Sequence, residues 1–392
     1  MIIPSFWEKV LFAVLVVPTF PVYANSFSAN FTDGLLYQSG NGNVRIKAGG
    51  RLHLDGAMFN EDKMRLKNDW MVRRARLSLR GELFKDWHLR VQYNLLDAEK
   101  RYRSLWLRYS GFENTYITAG QFGNPFGMEK GTSSNSLVFM ERSLANALVL
   151  DSSVGFGVQR WRNNWGMAAG IFWESYIEEA DLLAEKKGYG FSGRFTTAPI
   201  TQKNRTLHLG ASVSYGIPGE GDRLRIRSRP ESAVIDTRFV STGRMRNVNS
   251  YLSAGLEAAL VLGAISLQGE YIQTQVFRYG DQENEIFDGG YVYISWLVRG
   301  YQRRYSSRSG AFSKVRPKKG SEWEVAVRYS FLDLNSRTDT VSGGRQVNTA
   351  WALNGYLNKN VRLMFNYIQV NADTEAGRET PTILQMRLQW VI

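Results

Sequence analysis

The chain has 392 residues, with 49 Lys and Arg against 36 Asp and Glu, and a formal net charge of +13. A basic excess of this kind favours an anionic partner, which can be nucleic acid, acidic lipid or a small anion. The absence of cysteine excludes disulfides and thiolate metal sites. Plentiful glycine and aromatic residues beside few prolines argue against a disordered chain.

The first predicted element is an export signal at residues 1–24. Lys9 precedes an apolar run at 10–17, and a small-residue triplet of the A-x-A type ends at Ala24. Glu8 offsets the charge of Lys9, and the alternative is a buried N-terminal helix. We favour the signal peptide because the run is too short to span a bilayer and is followed by prolines. Export argues against a nucleic-acid partner.

The rest of the chain, 25–392, is predicted to be one β-rich domain because apolar and polar residues alternate along it with a period of two. In the last ten residues, ILQMRLQWVI, Leu384 and Met386 lie on one face and Gln385 and Arg387 on the other. The pattern predicts sixteen strands, near 44–58, 71–83, 87–96, 104–110, 115–122, 154–162, 165–174, 189–197, 206–216, 249–259, 264–275, 290–299, 322–333, 347–357, 361–371 and 382–392.

A soluble β-sandwich also alternates, but three features favour a transmembrane antiparallel β-barrel. Strands often begin or end in aromatic residues, the last strand reaches the final residue, and short connections alternate with long ones. The long connections include 123–153, 217–248 and 276–289, whereas 300–321 is long and basic where a short turn is expected. Sixteen strands enclose an aqueous channel, so the sequence predicts a pore.

If the apolar faces meet lipid, the polar faces line the lumen. The strand at 71–83 then directs Arg74, Arg76 and Arg80 inward, while Arg73 has the outward parity and marks the rim or a bulge. An arginine at the lipid midplane costs roughly 2–4 kcal/mol, which favours this orientation. The same parity places Arg90, Arg108, Arg194 and Arg328 inward. An excess of cations along a lumen predicts selectivity for anions.

The long link 217–248 contains the segment RLRIRSR, in which arginines alternate with Leu224, Ile226 and Ser228. The arginines of this link are Arg223, Arg225, Arg227 and Arg229, followed by Arg244 and Arg246 in RMR. One interpretation is a ladder that lies on the inner wall and passes anions along, since guanidinium holds phosphate with a planar fork of donors. The other is a solvated basic loop that touches lipopolysaccharide, and spacing alone favours neither.

Three stretches are more specific than periodicity. GQFGNPFGMEKGTSSNSLVFMERS at 120–143, VRRARLSLRGELF at 72–84 and LRYSGF at 107–112 together resemble the outer-membrane phosphate-selective porins O and P. The resemblance covers essentially the whole mature chain. It implies a homotrimer of sixteen-stranded barrels in the bacterial outer membrane, whose third outer loop, here 123–153, folds inward and narrows the pore.

The same resemblance implies which residues bind phosphate. Lys130, Ser133, Ser134 and Arg142 match the constriction, and Arg73 and Arg74 match its paired arginines. The ladder residues match Arg223, Arg225, Arg227 and Arg229, continued by Arg244 and Arg246. A phosphate that sheds water in a narrow zone needs fixed replacement donors, which Lys, Arg and Ser side chains supply. Taken alone, the Thr-Ser-Ser segment would be an ordinary polar turn.

Three positions depart from the family pattern. Ser104 lies near the position of a family aspartate, and Arg76 stands where the best-known members have an aromatic residue. Both changes make the site more positive, which strengthens anion attraction and broadens the expected ligands toward pyrophosphate. The chain ends in Ile392 rather than an aromatic residue, with Trp390 close by.

Rival functions are an enzyme, a plugged structural or adhesive barrel, and a general or organic-anion porin. The three histidines, His53, His88 and His208, lie on separate predicted strands without an acidic or serine partner at motif spacing, so we predict no enzyme, metal site or cofactor. The connections are too moderate in length for an adhesin. The general anion porin is the closest alternative.

Overall fold

The computed structural model describes residues 24–30, 34–60, 66–96, 102–150, 152–176, 182–184, 188–219, 221–317, 320–336, 340–374 and 377–392. The predicted export signal lies outside these residues, apart from Ala24. No helix among the described residues is long and apolar enough to cross a bilayer.

Most of the described chain is β-strand. The strands are β1 (Ala24–Asn30), β2 (Gly34–Ser39), β3 (Val44–Asn60), β4 (Asp69–Leu83), β5 (Trp87–Asn94), β6 (Tyr102–Tyr109), β7 (Thr115–Gly123), β8 (Ser152–Trp161), β9 (Trp165–Tyr176), β10 (Leu182–Ala184), β11 (Tyr189–Gln202), β12 (Arg205–Ile217), β13 (Leu224–Ser228), β14 (Val240–Ser241), β15 (Val248–Leu262), β16 (Ile265–Arg278), β17 (Glu285–Leu297), β18 (Tyr305–Ser306), β19 (Ala311–Phe312), β20 (Glu322–Asn335), β21 (Ser342–Tyr356), β22 (Val361–Thr374), β23 (Gly377–Glu379) and β24 (Thr382–Val391). The helices are α1 (Met128–Gly131) and a 3₁₀ turn at Leu144–Leu148.

Sixteen of these strands form a closed antiparallel barrel, as the sequence predicts. They are β3 to β9, β11, β12, β15 to β17, β20 to β22 and β24, each paired with the next along the chain. The barrel closes where β24 pairs with β3, from Thr382 opposite Asn60 to Val391 opposite Arg51. Every predicted strand overlaps an observed one, with boundaries that agree to within five residues. The sequence missed the hairpin of β1 and β2, which pairs with the start of β3.

The two faces of the barrel strands differ in chemistry as the alternation predicts. On β24, Leu384, Met386, Leu388 and Trp390 are 39–57% exposed on the outside, whereas the intervening Gln385, Arg387 and Gln389 are at most 2% exposed. β16, β20 and β22 repeat this division, because their inward side chains meet loop segments inside the barrel. The outer face is therefore an apolar surface suited to lipid.

Two long links from one end of the barrel enter the lumen. The segment 124–150, which we call the constriction loop, and the described residues 218–219 and 221–247, which we call the arginine loop, pack their apolar residues on the inner faces of β15 to β24. Leu144, Leu148, Leu224 and Ile226 are nearly inaccessible within one such cluster. Both links therefore fold inward, and they fill the β15 to β24 side of the barrel.

The long basic link that the sequence places at 300–321 also enters the lumen. It does so from the end of the barrel that carries the tight turns. This turn-side segment, 298–321, contains the short β18–β19 hairpin. The Tyr305 hydroxyl lies 2.8 Å from His208 Nδ1, and Arg194 donates to the carbonyl of Ser309 at 3.1 Å. Three inserted segments therefore occupy part of the lumen.

Candidate functional site

The constriction loop begins with a turn that only glycine accommodates. Gly127 has a φ of 64°, and a Cβ there would lie 2.7 Å from the carboxylate of Glu270 on β16. The glycine lets the backbone approach that carboxylate, which accepts a hydrogen bond from the Met128 N–H at 3.0 Å and another from the Glu129 N–H. The GNPFG motif thus anchors the start of α1 to the barrel wall.

Glu141 anchors the far side of the loop to three arginines. Its carboxylate accepts from Arg73 at 3.0 and 3.1 Å, lies 3.5 Å from Arg74, and pairs with Arg387 at 2.5 Å. Burial alone would raise the pKa of Glu141, but Arg73, Arg74 and Arg387 hold it well below the ordinary value. The group is therefore ionised, and it fixes both the loop and the orientation of the guanidinium groups.

Arg73 reaches Glu141 because β4 contains a β-bulge. The pairing passes from His53 opposite Arg74 to Leu54 opposite Val72, which leaves Arg73 as the extra residue. Consecutive arginines then both turn inward, and their exposed fractions are 7% and 5%. The predicted bulge at Arg73 is confirmed, and its consequence is a pair of adjacent inward-facing guanidinium groups beside the constriction loop.

Arg328 on β20 joins the two inserted loops. It lies 2.8 Å from Glu231 of the arginine loop and 3.2 Å from Glu129 of the constriction loop. Glu231 also accepts from the Leu144 N–H at 3.1 Å and from the Ser330 hydroxyl at 2.5 Å. The two loops are therefore held in one arrangement by a shared buried ion-pair network, which keeps the lumen geometry fixed.

A basic cavity lies where these elements meet. Its volume is about 110 Å³, and seven cationic side chains face two carboxylates there. The cationic residues are Arg73, Arg74, Arg76, Arg103, Lys130, Arg142 and Arg229, and the carboxylates are Glu141 and Glu231. The structure thus brings together six predicted site residues: Arg73, Arg74, Arg76, Lys130, Arg142 and Arg229. A small anion here would meet several positive charges at once.

Arg142 has a second role within the constriction loop. Its guanidinium donates to the carbonyls of Thr132 at 2.9 Å and Glu129 at 3.1 Å, so it closes the C-terminal end of α1. Much of its donor capacity is used by the backbone. Arg142 therefore acts on an anion in the cavity mainly through its charge.

The predicted serine pair lies outside this cavity. Ser134 is 8% exposed and its hydroxyl accepts from Arg51 at 2.8 Å, whereas Ser133 is exposed. Asn135 follows, and its side-chain oxygen lies 3.1 Å from His53 Nε2. The serines thus face the β3 wall beyond the cavity, and Arg51 is a neighbour that the sequence motif did not indicate.

The arginine loop presents its guanidinium groups along one edge. On β13 the intervening Leu224, Ile226 and Ser228 are at most 4% exposed, while Arg223, Arg225, Arg227 and Arg229 are only half-buried. The apolar residues pack on the 3₁₀ turn, which turns the alternate arginines away from that packing. Arg229 reaches the cavity and also pairs with Asp236.

Arg244 and Arg246 lie beside the ladder and do not extend it. Leu224 and Met245 form an antiparallel bridge with hydrogen bonds of 3.1 and 2.9 Å. This register places Arg246 opposite Arg223 and Arg244 opposite Arg225. Both side chains are exposed. The outer end of the ladder is therefore a double row of arginines. This double row results from the pairing of the two segments and could not be predicted from the spacing of the arginines in the sequence.

The wall of β3 to β6 continues the basic surface beyond the cavity. Cross-strand pairs place Arg51 opposite Arg76, Lys47 opposite Arg80 and Arg80 opposite Arg90. Like charges side by side repel, so this arrangement needs an anionic occupant or water to be favourable. Arg51, Arg103 and Glu141 are site residues that the sequence reasoning missed, although Glu141 stands in the quoted motif next to Arg142.

His208 has an acidic partner that sequence spacing concealed. His208 Nε2 lies 2.8 Å from Glu257 Oε1, which also pairs with Arg194 at 2.5 Å. Glu257 is not at motif spacing from His208, and it is the antiparallel pairing of β12 with β15 that brings the two together. In the described part of the chain, no group of three His, Asp or Glu side chains could hold a metal ion.

Comparison with known proteins agrees with this geometry. Residues 46–392 match the family model for phosphate-selective porin O and P. Porin O of Pseudomonas aeruginosa is 27% identical over 372 residues, which cover 84% of this chain and 83% of that protein. The anion-selective porin from Comamonas acidovorans superposes with a TM-score of 0.57 at 13% identity, over 89% of this chain and all of that one.

The trimer form of OmpT from Vibrio cholerae superposes with a TM-score of 0.53 at 9% identity, over 89% of this chain and 99% of that one. At such identities these structures establish the fold. The family match covers nearly all of the barrel, and the lumen carries the expected positive charge. The chain therefore belongs to the family of phosphate-selective porins O and P and is a bacterial outer-membrane β-barrel channel for anions.

Proposed function

We propose that the channel is selective for phosphate or short polyphosphates, which diffuse passively through the constriction. The observation that carries the proposal is the 110 Å³ cavity in which seven cationic groups face two carboxylates. Cations in excess attract the anion, and the two fixed carboxylates keep the arginines in place. Arginine and lysine donors also satisfy several oxygens at once, which chloride does not offer.

The arginine loop is the proposed approach to this cavity. Arg223, Arg225 and Arg227 lead toward Arg229, which lines the cavity itself. Successive sites of similar chemistry lower the barrier between neighbouring positions and avoid a single deep trap. Ser133 and Ser134 are proposed to receive the anion beyond the cavity, where Arg51 donates to Ser134.

Single-channel recording in a planar bilayer tests the selectivity. In chloride solution with phosphate titrated in, we expect small anion-selective steps that submillimolar to millimolar phosphate blocks. Large steps that phosphate leaves unchanged would favour the alternative, a general or organic-anion porin of the same fold. Pyrophosphate, sulfate and arsenate titrated in the same way rank the preferred anions.

Lys130→Ala should weaken phosphate block about tenfold and raise the chloride conductance, because a desolvated charge-assisted hydrogen bond contributes roughly 1.5–3 kcal/mol. Lys130 lines the cavity at the end of α1. Lys314→Ala, which removes a lysine of the turn-side segment that is bonded to the Lys359 carbonyl, serves as a control of equal charge. If phosphate blocks the Lys130 variant as well as it blocks the wild type, Lys130 does not belong to the phosphate site.

We also propose that the protein is a homotrimer embedded among outer-membrane lipid and lipopolysaccharide. The family and the trimer form of OmpT support the assembly. Porin trimers resist dissociation because protomers bury large surfaces. On gels, unheated samples should migrate as trimers and heated samples as monomers. A monomer that persists in mild detergent, measured by light scattering, would contradict the proposal.

A further inference from the structure

A second basic cavity lies at the turn end of the barrel, between the β3 to β6 wall and the turn-side segment. Its volume is about 550 Å³, and it shares no lining residue with the constriction cavity. Its cationic lining residues are Arg45, Lys47, Arg80, Arg90, Arg108 and Arg308. Glu82 is the carboxylate among the lining residues, so the cavity is strongly positive.

This cavity differs from the constriction because it contains aromatic rings in contact with a guanidinium group. The guanidinium carbon of Arg108 lies 4.4 Å from the ring centre of Trp106 and 4.6 Å from that of Tyr116. Its Nε donates to the Thr118 hydroxyl at 2.9 Å. Held between two rings and one hydroxyl, the Arg108 plane has a fixed orientation, and Arg308 approaches Tyr116 at 6.0 Å.

The lining also contains a donor without an internal acceptor. Arg90 Nε is buried and makes no hydrogen bond to any described residue. A buried unsatisfied donor is costly, which favours an acceptor supplied by a ligand or by water. Arg80 lies opposite Arg90 in the sheet, so one oxyanion can contact both guanidinium groups.

We propose that this cavity binds phosphate monoesters that carry an aromatic ring. The arginines hold the phosphate group, and the Trp106, Arg108 and Tyr116 stack provides flat surfaces for the ring. A free phosphate ion would leave most of the 550 Å³ filled with water. Cavities of this size ordinarily accept small organic molecules.

The two cavity volumes predict how such a ligand acts. We expect a ring-bearing phosphate to lodge in the 550 Å³ cavity, which has room for the ring, and to enter the 110 Å³ constriction cavity less readily. It therefore blocks the anion current from the turn side. This consequence depends on the channel conducting anions and is independent of its selectivity for phosphate.

Phenyl phosphate is the probe, with cyclohexyl phosphate as a ligand of matched charge and similar size that lacks an aromatic face. Each is added to one compartment at a time during single-channel recording in chloride. We expect phenyl phosphate to block from the turn side at a concentration at least five times lower than cyclohexyl phosphate, and at least ten times lower than from the other side. Equal block by the two esters would overturn the aromatic contribution.

The absence of cysteine allows the orientation of each channel to be determined. Asn163→Cys places a single thiol in the exposed turn 162–164, where a bulky membrane-impermeant maleimide reacts only from the turn side. Block that is stronger from the opposite side would overturn the placement of the site. The comparison of the two esters uses the wild-type protein, so it does not depend on whether a variant folds.

Two variants separate this site from the constriction. Trp106→Leu should weaken phenyl phosphate block at least fivefold and leave block by inorganic phosphate unchanged, whereas Lys130→Ala should do the reverse. If Lys130→Ala abolishes both effects equally, the second site does not exist. If Lys130→Ala changes neither and Trp106→Leu changes only the ester, the second site stands while Lys130 loses its proposed role.

Discussion

Glu141→Gln should release the constriction loop and destabilise the barrel by roughly 3–5 kcal/mol, the usual cost of breaking a buried ion pair. The variant leaves Arg73, Arg74 and Arg387 close together without the carboxylate that they share, although Arg387 keeps Asp55 at 2.6 Å. The measurements are thermal unfolding in detergent and single-channel conductance. We expect a lower melting temperature and larger, noisier open-channel steps.

The pH dependence distinguishes this role from simple loss of packing. Because the folded-state pKa of Glu141 lies well below its ordinary value of 4.5, ionisation of this group stabilises the fold at neutral pH. That stabilisation is lost only as the pH falls below 4.5 through the depressed folded-state pKa. Wild-type conductance should therefore change only in acid, at a pH below the ordinary value of 4.5, and the Gln variant should lack this transition. An identical acid transition in both proteins would assign it to another group.

Neutralising the ladder with Arg225→Gln and Arg227→Gln should lower the association rate of phosphate about tenfold, since a line of charge steers an ion toward the narrow zone. The barrel should still fold, because these side chains lie on the half-buried edge of β13 while Leu224 and Ile226 make its packing contacts. The rate is read from the concentration dependence of blocking events, and its dependence on salt should weaken in parallel.

Two controls define the result. Arg345→Gln removes one exposed arginine near the loop end of β21, 3.8 Å from Asp333, and should leave the association rate unchanged. A double variant with Arg225→Lys and Arg227→Lys keeps both positive charges but loses the planar donor fork of guanidinium. It should therefore keep the association rate of phosphate and shorten the blocking events. If the association rate of phosphate is unchanged in the glutamine variant, the arginine loop is a solvated basic loop and not a path for anions.

Much of the architecture could be predicted because each strand carries its own signal. A strand that separates lipid from a wet lumen must alternate, and β24 shows the full contrast between Leu384 and Gln385 or Leu388 and Arg387. Sixteen strands follow from sixteen such stretches. The hairpin of β1 and β2 was missed since it lies before the first clear alternation, and the buried His208–Glu257 pair was missed since its members are 49 residues apart.

The candidate site was only partly predictable. The motif at 120–143 indicated Lys130 and Arg142, but it could not show that Arg142 donates to the loop backbone or that Glu141 joins three arginines. These contacts connect residues far apart in the chain, as Glu141 and Arg387 are. The bulge that turns both Arg73 and Arg74 inward depends on pairing with β3.

Local alternation and composition predicted the barrel, its strand number, the division between outer and inner faces, and the basic lumen. The positions of the basic cavities depend instead on tertiary packing. The constriction loop and the arginine loop pack against β15 to β24 and are joined by Arg328, which pairs with Glu129 and Glu231. The turn-side segment contacts other strands, through Arg194 on β11 and His208 on β12. Packing between distant segments has no local signature in a chain, so these cavities become visible only in the folded barrel.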